Sequence, residues 1–270
     1  MQNPPPQNPP AQTYTAAQVR EAEAPYLERG VPLMARAAEA LATEAATLLT
    51  ARRGGAGGDG VTGARVLVLA GSGNNGADAL FAAELLADQG AALCILPTSD
   101  RLHREALEAA LAQGADLRPV DELPEVVTGL ARAADLILDG ILGTGTSGSP
   151  ALRGPARSTV AAILPALSGE HPPLVVAVDL PSGIGVDDGS VPDPTVLPAD
   201  LTVTFGGCKA GLVKRPAADF AGRVVVADIG IGDELERIRR RDLGGHRARG
   251  TSRQRAGSAA GADGGCCAPA

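Results

Sequence analysis

VLVLAGSGNNGAD, residues 66–78, reads as a buried strand that runs into a glycine turn and then a helix. The unbroken apolar run from Val66 to Ala70 suits a strand covered on both faces. Gly71, Gly73 and Gly76 permit tight turning and close backbone approach, so the helix that follows offers free N–H groups and a positive dipole end to an anion. Phosphate or pyrophosphate binding is physically natural there. The G-x-G-x-x-G match is weak alone, because glycines also serve plain strand-to-helix turns. No G-K-[S/T] follows, which excludes a P-loop. An NAD-dependent dehydrogenase would place an acid about 20 positions on, at a ribose hydroxyl. Here the next strand ends LPTSD, 96–100, and Asp100 falls late, beyond Pro97, so that fit is poor. The same reading leaves Asn74, Asn75 and Asp78 unexplained, although either Asn could simply cap the helix.

Working outward, short apolar runs and helical patterns alternate. Strands are expected at 65–70, 92–96, 136–139, 174–179, 201–205 and 223–226, with helices at 77–89, 102–113, 123–133 and 155–167 between them and two more at 16–28 and 32–52 in front. The alternation predicts an α/β fold with a mostly parallel sheet and helices on both faces. Residues 1–13, rich in Pro, Gln and Asn, and the Arg-rich segment 233–270 are expected to be disordered, bracketing one domain at 14–232.

Two further segments carry chemistry. In DLILDGILGTGTSGSPALRGP, 135–155, a strand delivers Asp139 into a loop of glycines and hydroxyls. In VVAVDLPSG, 175–183, another strand delivers Asp179, followed by Pro181 and Ser182. Ligands of open α/β sheets bind beyond the carboxyl ends of the strands, so both aspartates are expected to face the crevice of the glycine turn. Asn75, Asp139 and Ser182 would offer hard oxygen ligands without His or Cys, a set suited to an alkali or alkaline-earth cation.

The formal charge of −7 is unevenly spread: residues 237–270 hold eight Arg against two acids, leaving 16 basic and 29 acidic residues before them. So acidic a body would repel a phosphate backbone, and nucleic acid is not expected as a partner. The four cysteines show no C-x-x-C spacing, and no run approaches the roughly 18 apolar residues of a membrane span, so a cytoplasmic protein with reduced thiols is expected. His103, His171 and His246 read as surface residues.

The three segments, in this order, resemble the NAD(P)H-hydrate epimerase family, also called the YjeF N-terminal domain. The resemblance spans about Tyr14 to Gly232 and includes YTAAQVREAEAPYLERGVPL, AGSGNNGAD, LDGILGTGTSG with LRGP, VDLPSG, and ADLTVTFGGCKAGL with VVVADIGI. It implies a Rossmann-like three-layer α/β/α fold. It also implies interconversion of the R and S forms of hydrated NADH and NADPH, damaged cofactors with a hydroxyl at C6 of the nicotinamide ring, in nicotinamide cofactor repair. A dehydratase that restores the S form would be the functional partner, and a homodimer is compatible with the resemblance. Carried over by position, the substrate would meet Asn74, Asn75, Gly76, Ala77 and Asp78, the loop residues Gly143, Thr144, Gly145, Thr146, Ser147, Gly148 and Ser149, and Asp179, the candidate general acid/base. Asn75, Asp139 and Ser182 would hold a potassium ion. Ala77 replaces a usual glycine, Ala210 the proline of a K-P-G, and Cys208 another frequent proline; neither of the latter two is expected to touch the catalytic set. A non-catalytic scaffold is the alternative of a different class, and the intact Asn75, Asp139, Asp179 and Ser182 argue against it.

Overall fold

The apolar runs do form strands, and all of them pair in parallel. The computed structural model describes residues 12–54, 59–145 and 148–243. Its strands are β1 (Arg65–Ala70), β2 (Ala92–Pro97), β3 (Asp116–Leu117), β4 (Leu136–Gly140), β5 (Leu174–Val178), β6 (Leu201–Phe205) and β7 (Arg223–Ala227). They form one sheet in the order β3-β2-β1-β4-β5-β6-β7. The helices are α1 (Ala16–Glu28), α2 (Leu33–Arg53), α3 (Asn74–Asp88), α4 (Arg104–Ala112), α5 (Pro124–Ala133), α6 (Gly154–Ile163) and α7, residues 232–243.

Alternation along the strands divides the core between two helical layers. Val66, Val68, Ala70, Leu136 and Leu138 pack with Leu41, Leu49, Leu80 and Leu86 of α2 and α3. Leu67, Leu69, Ile137 and Val175 point the other way, onto Val127 and Ala131 of α5 and Val160 and Ile163 of α6. This is the expected three-layer Rossmann-like arrangement, filled almost wholly by aliphatic side chains. From β1 the chain winds outward to β3, then returns across to β4 and winds the other way. The loops after β1 and β4 therefore diverge, and a crevice opens between them at the carboxyl ends of the strands.

Several elements differ from expectation for identifiable reasons. α3 begins at Asn74, three residues early, so both asparagines lie in its first turn. α6 stops at Ile163 because Pro165 lacks an N–H, and a 3₁₀ segment, Leu164–Ser168, completes the span. β3 is a two-residue edge strand, too short to leave a pattern. His103 caps α4, its Nδ1 accepting from the Ala106 N–H at 3.3 Å. The expected disorder from residue 233 is corrected as far as 243. Leu235 and Ile238 of α7 are fully buried in the core, while Glu234 and Glu236 on the same helix pair with Arg237, Arg239 and Arg240. Residues 1–11 and 244–270, where disorder is also expected, lie outside the described residues. Among the described residues no helix is long and apolar enough to cross a membrane.

Candidate active site

Close backbone approach shapes the crevice. A side chain at Gly71 would collide with the Ile141 carbonyl, and one at Gly76 with the Gly71 carbonyl, so the turn after β1 and the loop after β4 touch only because these positions are glycine. Gly73 then begins α3 with no side-chain cap, and neither asparagine caps it. The leading N–H groups of α3 are therefore left without a side-chain cap beside the crevice, an arrangement that suits an anion. The crevice has a volume of about 600 Å³, between the 71–75 turn, the 141–145 loop and α1. Arg20 of α1 donates from Nη1 to the Thr144 carbonyl at 2.9 Å and closes that side.

Asn75 is spent on joining the two strand ends. It is buried, and its Nδ2 donates to the Leu142 carbonyl at 3.1 Å and to the Val178 carbonyl at 2.6 Å. Any side chain at Gly143 would strike this amide, which explains a glycine there.

From the crevice a smaller chamber of about 120 Å³ extends inward, where Glu23, Asp78, Asp179 and Lys209 meet the apolar side chains of Val19, Met34 and Phe205. Asp179 is the one described non-glycine residue with positive φ, 67°. Strict alternation would send it with Val175 toward α5 and α6; the left-handed backbone turns it to the chamber instead. Such a conformation costs on the order of 1–3 kcal/mol and is a pointer to function. Three donors converge on its Oδ1: Thr204 Oγ1 at 3.0 Å, the Phe205 N–H at 3.1 Å, and Lys209 Nζ. No hydrogen bond is made by Oδ2 among the described residues.

Lys209 is 1% exposed and also donates to the Phe205 carbonyl at 2.8 Å. Two of its three ammonium donors are thus used. Its backbone is gripped on both sides by Tyr14, whose N–H donates to the Cys208 carbonyl at 2.8 Å and whose carbonyl accepts from the Ala210 N–H at 2.9 Å. Cys208 and Ala210 therefore flank the lysine that holds Asp179, closer to the catalytic set than expected. Burial pushes the Cys208 thiol up to about 11, so it stays protonated and inert at neutral pH.

The remaining carboxyls are electrostatically distinct. Burial, followed by the negative charges of Asp179 and Glu23, pushes Asp78 up to about 8 against a smaller opposing pull from Lys209. Glu23 is also raised, chiefly by burial, with Lys209 opposing and Asp179 reinforcing the shift. Asp139 lies behind the crevice rather than lining it, which corrects the expectation that both aspartates face one cavity. Its register with Leu69 and Ala177 sets it at the sheet's end, 1% exposed, accepting from the Ser182 N–H at 2.8 Å and the Ile141 N–H at 3.4 Å. Burial raises its pKa, and the Ser182 bonds oppose the rise. Ser182 Oγ accepts from the Leu142 N–H at 2.9 Å, so Asn75 and Ser182 meet around the backbone of Leu142, and Asp139 joins them through Ser182.

Of the other sequence candidates, Asn74, Gly143, Thr144 and Gly145 line the crevice. Ala77 and Gly76 do not: Ala77 is a fully buried core residue of α3, where a methyl suits the helix. Ser149 lines an adjoining hollow of about 300 Å³ with Thr98 and Arg153, which shares Ser72 with the crevice, and Gly148 is exposed. Thr146 and Ser147 lie outside the described residues. Sequence reading missed Glu23, Arg20 and Lys209. For Lys209 a signal existed, a lone lysine four residues beyond a buried strand; for the α1 residues none did, since charges on an amphipathic helix ordinarily face water.

Comparison with known proteins agrees with this fold. A protein of Clavibacter michiganensis subsp. michiganensis named NAD(P)H-hydrate epimerase is 47% identical over 222 residues, covering 82% of this chain and 91% of that one. The bifunctional NAD(P)H-hydrate repair enzyme Nnr of Mycobacterium tuberculosis is 44% identical over 222 residues, 81% of this chain and 41% of Nnr. The crystal structure of yeast ynu0 shares the fold with a TM-score of 0.59 at 21% identity, covering 74% of this chain and 82% of that one. Residues 31–211 match the family described as YjeF-related protein N-terminus, and the chain belongs to that family.

Proposed function

We propose that this chain is an isomerase that interconverts the R and S forms of hydrated NADH and NADPH. The observation that carries the reading is Asp179: a carboxylate held by three donors on one oxygen, with no hydrogen bond to the other among the described residues, lining a chamber that adjoins the crevice at the start of α3. The two named relatives support it. The dinucleotide's pyrophosphate suits the first turn of α3 and Arg20, and its modified ring suits the apolar and acidic chamber.

The chemistry follows from where the hydroxyl sits. C6 adjoins the ring nitrogen, so the nitrogen lone pair expels the hydroxyl as water once its oxygen is protonated, leaving a planar iminium ion. Water returning on the other face gives the opposite epimer, with no net redox change. Asp179 Oδ2 takes up the proton released as that water adds to C6, and Glu23 and Asp179 against the cation of Lys209 give the chamber a negative field that favours the cationic ring.

The residues also fit an alkali cation. Asp139 is a fully buried carboxyl with no Lys, Arg or His partner among the described residues, and it is bonded to Ser182, whose hydroxyl shares the Leu142 carbonyl with the Asn75 amide. Asn75, Asp139 and Ser182 would hold potassium, which when bound supplies charge neutralisation to Asp139 and fixes the 140–145 loop. Exchange of potassium for choline is expected to lower the melting temperature and slow turnover, measured by thermal unfolding and the assay below. A dehydratase specific for the S form is the matching partner, and the cytoplasm, where these cofactors are used, the matching compartment.

The direct test incubates purified protein with pure R-hydrate and follows the S form by chiral chromatography. The expected result is equilibration of the two forms with no change in cofactor oxidation state, and with ¹⁸O from labelled water entering C6. Hydride transfer in its place would indicate a dehydrogenase, and no reaction a scaffold.

A further inference from the structure

We propose that Asp78 is a second acid/base group of this site, giving its carboxyl proton to the departing C6 oxygen while Asp179 takes a proton from the water that re-enters on the opposite face. The inference rests on the functional reading above. Asp78 stands one turn into α3 beyond Asn75, is 6% exposed, and lines the chamber beside Asp179 and Lys209. Its Oδ1 is buried and is the one such side-chain atom among the described residues with no hydrogen-bond partner. A buried, unpartnered carboxylate oxygen is costly, whereas a neutral carboxyl with an O–H to donate to a ligand is not.

The groups facing Asp78 are Glu23 from α1, Asp179 after β5 and Lys209 after β6, and together with burial they place its pKa at about 8. It is therefore mostly protonated at neutral pH, while Asp179 sits in an ion pair with Lys209. One carboxyl arrives loaded with a proton and the other without. In one direction of the epimerisation the Asp78 O–H bond breaks, the new O–H bond completes a water, and the C6–O bond cleaves toward that water. A water on the other face then bonds to C6 and passes its extra proton to Asp179 Oδ2. The site is left with the proton on Asp179, the state needed for the reverse conversion, and proton exchange through the chamber restores the start. Protons and electrons balance without any further reagent.

Because the protonated form is the active one, kcat should fall as pH rises through about 8. Asp78→Asn preserves shape and neutrality but cannot donate the proton. It should lower kcat about 100-fold, leave KM within about threefold, and remove the alkaline limb of the kcat–pH profile. A difference ¹³C-carboxyl titration, wild type against Asp78→Asn, should show one aspartate titrating near pH 8, and thermal unfolding should show the variant folded. Conversion by the wild type together with an Asp78→Asn kcat within about threefold of it, or an unchanged alkaline limb, overturns this inference alone. Wild-type protein that leaves the pure epimers unconverted overturns the functional reading and this inference with it.

Discussion

Asp179→Asn is expected to lower kcat for epimerisation by about 100- to 10,000-fold, with KM changed far less. The amide has the carboxylate's shape, and its oxygen can still accept from Thr204, the Phe205 N–H and Lys209. What it presents to the chamber in place of Oδ2 is an NH₂ group, which accepts no proton at any working pH. Substrate contacts made by the crevice are untouched, so the loss falls on the chemical step. Steady-state kinetics from each pure epimer are the measurement, and near-normal turnover in either direction would remove Asp179 from its role. A fall in melting temperature is also expected, since Lys209 keeps its burial and loses its counter-charge.

Lys209→Met should produce the largest loss of stability of any single change at the site. Methionine fills the lysine's volume but leaves Asp179 as a buried carboxylate with no cation, and breaking a buried pair from one side costs about 3–5 kcal/mol. Urea melts of Lys209→Met alone and combined with Asp179→Asn are the measurement, and removing the stranded charge in the double variant should recover part of the loss. No recovery would mean that packing, rather than charge, is what Lys209 contributes. Activity should fall as well, because Oδ1 loses the strongest of its three donors and the carboxylate its orientation.

Apart from β3, the strands were readable in the sequence because they are short runs dominated by apolar and β-branched residues, and the switch point follows from their alternation with helices. Asn75 was readable as more than a cap only through context; the structure gives the reason, an amide that ties together the Leu142 and Val178 carbonyls from two different strands. Asp139 and Asp179 look alike in sequence, each an acid ending a buried run. They diverge because a positive φ turns Asp179 toward α1 and α2 whereas Asp139 stays with the pleat, and no one-dimensional pattern encodes that dihedral. Glu23 was invisible for another reason. Its helix is marked by ordinary amphipathic spacing, and only tertiary docking decides that one of its charged positions meets a cavity rather than water. The short helix at 232–243 was masked by its arginines, whose charges are largely answered by glutamates on the same turn of chain.

The grip of Tyr14 on Lys209 has a practical bearing on how the protein is handled. The matched family span, 31–211, contains Asn75, Asp139, Asp179, Ser182 and Lys209, yet it omits the tyrosine that clasps the lysine's backbone and the glutamate that borders the reaction chamber. Trimming to that span would keep the acid/base and cation-site residues but lose Arg20 and Glu23 and release the lysine that must not move. An affinity tag fused just upstream of Gln12 would likewise emerge beside the working lysine, so purification handles belong at the opposite terminus.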